Sequence, residues 1–491
     1  CNGSVDADRP YSCFLDLFGP ASLFQLICLA RTRRGEDRLC RWLSFPAEAS
    51  SVRDRQAAIS EMTPAVDLRE ELALLDSEVH EDIDQNRLRE WASEAPHVVS
   101  PLSRAIAFCL GLAAIAAFAG WYVGAIGLSP LILVVIAEMG FVGSFGKEIK
   151  RVAADADRAG SGLLILASVL TVMERQQFDT PLLKKLRRTL DCDGLPPSVR
   201  IARLHQRIQN LNNALQNQFC APLAFLLCMP VHLLHAVESW RKRFGPQIPQ
   251  WLDAVGDFEA LASLSGFAYE NPEDRYPEIV VGEPLFEAEG LAHPLLPESI
   301  AVRNDVALGH RLQVLLVSGS NMSGKSTLLR TIGANVVLAL CGAPVRARRM
   351  RLSVLQLGAA MRVHDSLQQG QSLFFAVITR LKQIVDLSRN APPLLFLLDE
   401  ILQGTNSRDR RLGAEGVILT LVEAGAIGLV TTHDLALTEI VSSLDERGRN
   451  IHFEDRLEEG RMSFDYRIRP GVVEHSNALE REVDVWGQLA N

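Results

Sequence analysis

The sequence contains none of the cysteine patterns that hold metals. Its nine cysteines are scattered over 491 residues, without a CxxC pair or a Cys/His cluster at zinc spacing. This distribution favours reduced, buried thiols in a cytosolic protein and argues against a structural metal site.

The chain also lacks a net positive charge, because 59 acidic residues outnumber 50 Lys and Arg residues and the formal net charge is −9 at pH 7. This total argues against a protein coated in positive charge, although a local basic groove for nucleic acid is compatible with it. Two basic clusters are each interpreted as a solvated face rather than a DNA contact. They are Lys184, Lys185, Arg187 and Arg188, and Arg346, Arg348, Arg349 and Arg351.

The chain starts with neither methionine nor a signal segment, since residue 1 is Cys. We therefore expect it to be cut from a longer protein. Its length predicts two to four domains.

Charge is absent from one long segment. Residues 105–124 carry no charged side chain, and the apolar run at 131–143 is broken only by Glu138. The two runs have the length and composition of a two-helix membrane hairpin, and the basic residues at its ends place both ends on the cytoplasmic side. A buried helical hairpin in a large soluble core is the alternative, and Glu138 is costly in lipid. The flanking basic residues are Arg104, Lys147, Lys150 and Arg151.

A second apolar patch at 219–236 is interrupted by Pro222 and Pro230. It predicts either a pair of core helices or another membrane segment. The remaining sequence up to residue 276 is dominated by amphipathic helical patterns. After Pro277 short apolar strands separated by turns predict an α/β domain.

A phosphate-binding loop follows the first clear strand of that domain. Residues 312–318 predict a buried strand, and G-x4-G-K-S and a helical pattern come directly after it. In such a loop the glycines let backbone N–H groups turn toward phosphate oxygens, and the helix dipole adds to the attraction. Lys325 is predicted to reach the β- and γ-phosphates, and Ser326 to ligate Mg²⁺. The predicted ATP contacts are Gly319, Ser320, Asn321, Met322, Ser323, Gly324, Lys325, Ser326 and Thr327.

Two more apolar strands end in reactive side chains. Residues 394–398 lead into Asp399 and Glu400, and residues 426–431 lead into Thr432 and His433. Asp399 is predicted to hold Mg²⁺, and Glu400 to polarise the attacking water as general base. His433 is predicted to hydrogen-bond the γ-phosphate or that water.

Together these motifs resemble those of the MutS family of DNA mismatch repair ATPases. The loop at 319–326 is close to the family's G-P-N-M-x-G-K-S, and residues 399–406 are similar to its D-E-x-x-x-G-T stretch. The resemblance covers about residues 280–475 strongly and the upstream sequence more weakly. Other matching positions are Ala292-His293-Pro294-Leu295, Asn304-Asp305, Thr432-His433, the S-x-F-like Gly370/Ser372/Phe374, and upstream Thr32, Gly35, Leu39, Trp42, Pro46, Arg55 and Gln56.

The resemblance implies an α + α/β protein in which a helical core and lever domain precedes an ABC-type P-loop ATPase domain. Core helices are expected in 1–100 and 146–276, the apolar hairpin at 101–145 and the ATPase at 277–491. ATP and Mg²⁺ are the implied cofactors. In the family two ATPase domains face each other, which implies a homodimer in which Ser372 completes the ATP site of its partner.

The sequence also departs from the family. The mismatch-reading and connector domains would precede residue 1, and Val377 stands where the family usually has an acidic residue. The apolar hairpin occupies part of the region of the family's DNA clamp. The sequence looks most like a short, membrane-associated group of MutS-like proteins.

The leading hypothesis is a MutS-like ATPase that couples ATP binding and hydrolysis to movement of a helical domain. Mismatched or branched DNA is the implied partner. The ATPase domain is expected to be cytoplasmic, with membrane association through 105–143. The alternatives are a membrane-anchored ABC-type ATPase with a non-DNA target, and a nucleotide-dependent switch or scaffold with little hydrolysis.

Overall fold

The computed structural model describes residues 11, 14–75, 85–93, 100–191, 194–216, 221–360, 373–402, 407–458 and 461–473. The chain divides into two compact units. The sheet unit comprises Cys1–Leu29, Asp37–Pro64 and Ala260–Asn491, and the helical unit comprises Ala30–Glu36 and Ala65–Glu259. This division differs from the predicted boundaries, because two early segments belong to the same unit as the C-terminal part of the chain.

In the described part of the first 270 residues the regular elements are helices, and the strands begin after them, as the sequence patterns predict. The helices are α1 (Leu23–Ile27), α2 (Arg33–Ser44), α3 (Ala49–Met62), α4 (Val66–Leu74), α5 (Gln85–Ser93), α6 (Pro101–Tyr122), α7 (Leu128–Ser144), α8 (Gly146–Arg175), α9 (Pro181–Thr189), α10 (Pro197–Gln216), α11 (Ala221–Leu226), α12 (Met229–Phe244), α13 (Ile248–Glu270), α14 (Lys325–Cys341), α15 (Leu373–Ser388) and α16 (Ser407–Glu423). Short 3-10 segments occur at Gly245–Gln247, Leu435–Ser443 and Asp445–Arg447.

The strands form two sheets in the sheet unit. They are β1 (Glu278–Val280), β2 (Leu285–Leu291), β3 (Asn304–Gly309), β4 (Val314–Ser318), β5 (Arg349–Ser353), β6 (Gln356–Ala360), β7 (Leu394–Asp399), β8 (Ile427–Thr432), β9 (Gly448–Glu458) and β10 (Arg461–Pro470). The smaller sheet has the order β1-β5-β2-β3 and the larger one the order β10-β9-β4-β8-β7-β6.

The larger sheet is parallel except at one edge, where β10 pairs antiparallel with β9. Strands β4, β7 and β8 are buried along their whole length. Parallel strands that are covered on both faces read as continuous apolar runs, which is why the sequence predicts all three. Their carboxyl ends meet at one edge, and the predicted chemical residues lie there.

The helical unit contains the predicted apolar hairpin as α6 and α7. Ser100 is the N-cap of α6. Its hydroxyl accepts a hydrogen bond from the Leu102 N–H at 3.2 Å, and Pro101 is the first residue of the helix. The buried positions of α6 are all small: Ser103, Ala107, Gly111, Ala114 and Ala117. Small residues at this spacing let neighbouring helices approach closely.

The outer surface of this hairpin is apolar. Among the described residues, α6 alone is long and apolar enough to cross a membrane by itself, and α7 reaches that length only with Gly146–Ala154, at a bend of 54°. Glu138 points inward and is 2% exposed. The apolar segment predicted as a hairpin thus corresponds to α6 and α7, and its insertion into a membrane stays a prediction. The second apolar patch forms α11 and the start of α12, and neither is a candidate span within the described residues.

One cysteine differs from the predicted state, because Cys40 is disulfide-bonded. Cys228 and Cys341 are buried, as predicted, and Cys109 is exposed on α6.

Candidate functional site

The loop between β4 and α14 contains two glycines, Gly319 and Gly324, that are closely packed against neighbouring atoms. Gly319 has a φ of 156° and Gly324 a φ of 105°, in a region that disfavours side chains. A Cβ at Gly319 would lie 2.8 Å from the Ser323 hydroxyl, and one at Gly324 would lie 3.1 Å from the Tyr466 ring. Backbone conformation and close packing therefore both favour glycine at these two positions.

Several polar side-chain groups of this loop are buried. The Lys325 ammonium donates to the carbonyl oxygens of Gly319 and Ser320 at 2.8 and 2.7 Å. The hydroxyls of Ser320 and Ser323 are buried and lack a hydrogen-bond partner within the described part of the chain. Buried hydroxyls normally have partners, so their state fits a loop that receives oxygen atoms from a ligand.

Asp399 lies beside the loop and holds two hydroxyl groups. The Ser326 hydroxyl donates to one of its carboxylate oxygens at 2.7 Å, and the Thr431 hydroxyl donates to the other. Asp399 ends β7 and is paired in register with Thr431 of β8. A hydroxyl next to a carboxylate is the oxygen donor set that Mg²⁺ takes in nucleotide sites.

Glu400 follows with an unusual backbone. Its φ is 49°, and its N–H donates to the carbonyl and the hydroxyl oxygens of Thr431 at 3.2 and 3.1 Å. Its carboxylate is 5% exposed and lies 3.3 Å from Nδ1 of His433, a ring that is 43% exposed. The predicted pair Glu400 and His433 is thus in direct contact.

An open cleft of about 860 Å³ extends from these groups along α14. Its polar end contains Lys325, Ser326, Asp399 and Glu400. Its apolar walls come from four separate parts of the sheet unit, and the lining includes Phe14, Leu291, Leu296, Ile300, Val302, Phe453 and Tyr466.

Tyr466 is held over this cleft by its backbone. It has a φ of 53° at an irregularity in the pairing of β10 with β9. Asn304 fixes this geometry, because its amide donates to the Tyr466 carbonyl at 2.9 Å and its oxygen accepts from the Ile468 N–H at 2.9 Å. This contact gives a structural role to one of the Asn-Asp landmarks recognised in the sequence.

His293, the other landmark before the loop, lines the cleft in its neutral form. Burial lowers the pKa of its imidazole to about 4, and Nδ1 accepts a hydrogen bond from the Leu295 N–H at 3.2 Å. The ring shapes the wall and carries no charge at neutral pH.

Some predicted residues lie outside the described part of the chain. Ser372 is one of them, and so are the last four residues of the D-E-x-x-x-G-T-like stretch, 403–406. Sequence reasoning in turn missed Thr431, Tyr466 and Phe14. Thr431 is the second-last residue of the buried strand β8 beside β7, and its hydroxyl near the end of an apolar strand was the available signal for it.

Two arginines of the basic cluster at 346–351 are held by contacts within the protein. Arg346 is 9% exposed and donates to the Leu296 carbonyl and the Asn271 side chain at 2.7 and 2.6 Å. Arg351 pairs with Glu278 and Glu287 at 3.0 and 2.9 Å. Arg348 and Arg349 are exposed, so only part of this cluster fits the predicted solvated face.

Comparison with known proteins identifies the family of the C-terminal part of the chain. The family model described as MutS domain V matches residues 315–483. This part of the chain belongs to the MutS family. The DNA mismatch repair protein MutS of Natronomonas pharaonis is 30% identical over 238 residues, which are 48% of this chain and 27% of that protein. The endonuclease MutS2 of Thermus thermophilus is 32% identical over 187 residues, 38% of this chain and 24% of its own length.

The MutS-family match includes most of the polar end of the cleft. It begins in β4 and takes in Lys325, Asp399, Glu400 and His433. The chain spans only about a quarter of the length of these relatives. The matched MutS domain does not include Phe14, which reaches the cleft from the start of the chain.

Proposed function

We propose that this MutS-family chain is an ATP hydrolase that couples ATP binding and hydrolysis to movement of its helical unit. One observation carries the proposal: Asp399 binds the Ser326 hydroxyl directly and is linked to Glu400 through Thr431, beside a glycine loop in which the buried hydroxyls of Ser320 and Ser323 lack partners among the described residues. Such a cradle with an adjacent acid pair is suited to phosphoryl chemistry.

The loop residues 319–327 hold the triphosphate in this proposal. Backbone N–H groups of the loop and the start of α14 face phosphate oxygens. Lys325 exchanges its contacts with the Gly319 and Ser320 carbonyls for phosphate oxygens. Ser326 and Asp399 hold Mg²⁺, which neutralises charge on the phosphates.

Glu400 orients and deprotonates the attacking water. Its carboxylate is nearly inaccessible to solvent, which keeps it aimed at the cleft, and His433 lies 3.3 Å away, in reach of the same water or the γ-phosphate. Thr431 positions both acids, because it bonds the Asp399 carboxylate and the Glu400 backbone. Tyr466 supplies an aromatic face for the base, since it overlies the loop and lines the cleft.

A homodimer with composite ATP sites forms part of the proposal. The resemblance places Ser372 opposite the partner's nucleotide. The sheet unit exposes large apolar side chains. Met322 in the phosphate-binding loop is 86% exposed, and Phe375 near the start of α15 is 57% exposed. Exposed apolar residues of this size favour a protein interface.

DNA is the proposed partner by family membership, because the relatives include proteins named DNA mismatch repair protein MutS. The helix α9 offers a basic face: Leu183 and Leu186 are buried, while Lys184, Lys185 and Arg188 are exposed. Mismatched or branched DNA is the class to test.

Membrane anchoring is the second candidate, with a target other than DNA. It is favoured by the large apolar side chains that α6 and α7 expose on their outer faces. In this proposal the hairpin lies in lipid and the ATPase domain faces the cytoplasm.

The substitution Glu400→Gln tests hydrolysis. It should lower the ATP turnover number by about 100-fold or more while ATP affinity stays within a few-fold, because the amide preserves shape and removes the base. Glu446→Gln is the matched control, since Glu446 forms an exposed ion pair with Arg311 and should change nothing. An unchanged rate in Glu400→Gln would remove Glu400 from the mechanism, and a wild-type chain that fails to bind ATP with Mg²⁺ would end the proposal.

A further inference from the structure

We infer that Phe14, far from the family's motifs, is a contact residue for the bound nucleotide, so that the segment before α1 forms one wall of the ATP site. This inference rests on the proposed function and adds a residue to that same site. Phe14 lines the cleft that also contains Lys325, Ser326 and Tyr466. It lies more than 300 positions before the loop in sequence.

The segment is fixed against the helix that starts at the loop. Leu15 is fully buried, and a Cβ at Gly333 of α14 would lie 2.5 Å from its Cδ2 atom. Only glycine leaves room for Leu15 at this point. Leu17 is also fully buried, and the Asp16 and Leu17 carbonyls accept hydrogen bonds from the Leu23 and Phe24 N–H groups at 2.8 and 3.0 Å.

An ion pair holds the same segment at the edge of the cleft. The Asp16 carboxylate lies 2.7 Å from the Arg330 guanidinium, and both side chains are about two-fifths exposed. Arg330 itself lines the cleft. Its charge is therefore matched by Asp16, and the pair acts as a tether that keeps Phe14 at the wall.

The position of Arg330 on α14 indicates which part of a nucleotide Phe14 would meet, because Arg330 pairs with Asp16 of the same segment. Arg330 lies five residues after Lys325, or about 8 Å along the helix axis. The phosphates bind at the first turn, so the ribose and base are the parts of an extended nucleotide that reach this region. The Phe14 ring offers them an apolar face, and the Arg380 guanidinium lies 5.6 Å from the centre of that ring.

Nucleotide affinity tests the inference. Phe14→Ala should weaken binding of ADP and of a slowly hydrolysed ATP analogue about 3- to 10-fold, the usual range for loss of an aromatic contact. The KM for ATP should rise by the same factor while kcat stays within two-fold, since Phe14 does not reach the reacting atoms. Phe18→Ala is the control, because Phe18 packs on Phe24 with ring centres 5.9 Å apart and does not line the cleft.

The outcomes separate this inference from the proposed function. A wild-type chain that does not bind nucleotide contradicts both. A wild-type chain that binds, with Phe14→Ala and Phe18→Ala indistinguishable from it, overturns only the role of Phe14. Should Phe14→Ala not fold, amide hydrogen exchange of the wild type decides, since ADP should slow exchange at 14–18 and unchanged exchange there refutes the contact.

Discussion

Glu400 occupies a backbone conformation that few residues other than glycine adopt. A φ of 49° at a glutamate is unfavourable, and such strain persists where neighbouring contacts over-determine it. Here Thr431 supplies those contacts, because it accepts the Glu400 N–H and donates to the carboxylate of Asp399. One threonine on the adjacent strand thus fixes the direction of both acids.

A second buried acid lies in the helical unit and has a structural role. Glu259 accepts hydrogen bonds from the N–H groups of Arg31 and Thr32 at 3.0 and 3.2 Å and from the Thr32 hydroxyl. A Cβ at Gly35 would overlap this carboxylate, which explains the glycine. Burial raises the pKa of Glu259 to about 7.

This raised pKa predicts that stability falls as the pH rises. The folded chain keeps the proton of Glu259 up to about pH 7, whereas an unfolded glutamate loses it near 4.5. The stabilisation is therefore complete below pH 4.5 and is lost as the pH approaches 7, by about 3 kcal/mol at most. Urea unfolding at pH 5.5 and 8 should show this decrease in the wild type and a smaller one in Glu259→Gln. Equal decreases in both proteins would contradict it.

The place in the site was predictable for residues that belong to sequence motifs. It was not predictable for residues that only the fold brings to the site. Lys325, Asp399 and Glu400 follow apolar strands, so their place at the sheet edge follows from the pattern. Tyr466 owes its position to an irregular strand pairing and to Asn304, more than 160 residues away. No local sequence pattern predicts the contact between Asn304 and Tyr466.

At the scale of elements, the hairpin of α6 and α7 exposes its large apolar side chains, whereas a helix pair of a soluble protein buries them. Its buried face is made of small residues, Glu138 and Val142, while most of its large apolar side chains point outward. The sequence predicted both helices but placed Glu138 in conflict with lipid. The structure removes that conflict, because the carboxylate faces the inside of the helical unit.

This surface predicts lipid binding that depends on the outward side chains. The full chain should float with phospholipid vesicles in a density gradient, and Ile115→Glu with Ile136→Glu should release it, since each charge would enter lipid at a cost of about 3 kcal/mol. Both isoleucines are more than half exposed, so folding should persist and helix content can be checked by circular dichroism.

Leu412→Glu is the control, because Leu412 is 60% exposed on α16 of the sheet unit. If the wild type stays soluble without detergent and does not float, the membrane proposal fails. Loss of flotation in Leu412→Glu as well would point to an unspecific effect of added charge.

The whole molecule is acidic, so any DNA contact has to be local. With a net charge of −9, long-range attraction to DNA is unfavourable and a binding site needs its own cluster of cations. The face of α9 has such a cluster, whereas the arginines at 346–351 largely pair with acids or are buried.

DNA binding is therefore expected to depend on α9 and on salt. Mismatched or branched DNA should raise ATP turnover several-fold at low salt, and the effect should weaken steeply as salt increases. Changing Lys184, Lys185 and Arg188 to Glu should abolish the stimulation, while Arg348→Glu with Arg349→Glu should retain it. Absence of both binding and stimulation at low salt in the wild type would exclude the DNA role.

The division into units also has a consequence for biosynthesis. Residues up to 64 that belong to the sheet unit leave the ribosome about 200 residues before the next part of that unit. At 5–20 residues per second the helical unit emerges in between, over about 10 to 40 seconds. Leu15 waits longer still, because its contact Gly333 lies 318 residues later in the sequence, or about 16 to 64 seconds at the same rate. Its apolar side chain therefore needs protection before α14 and the cleft exist.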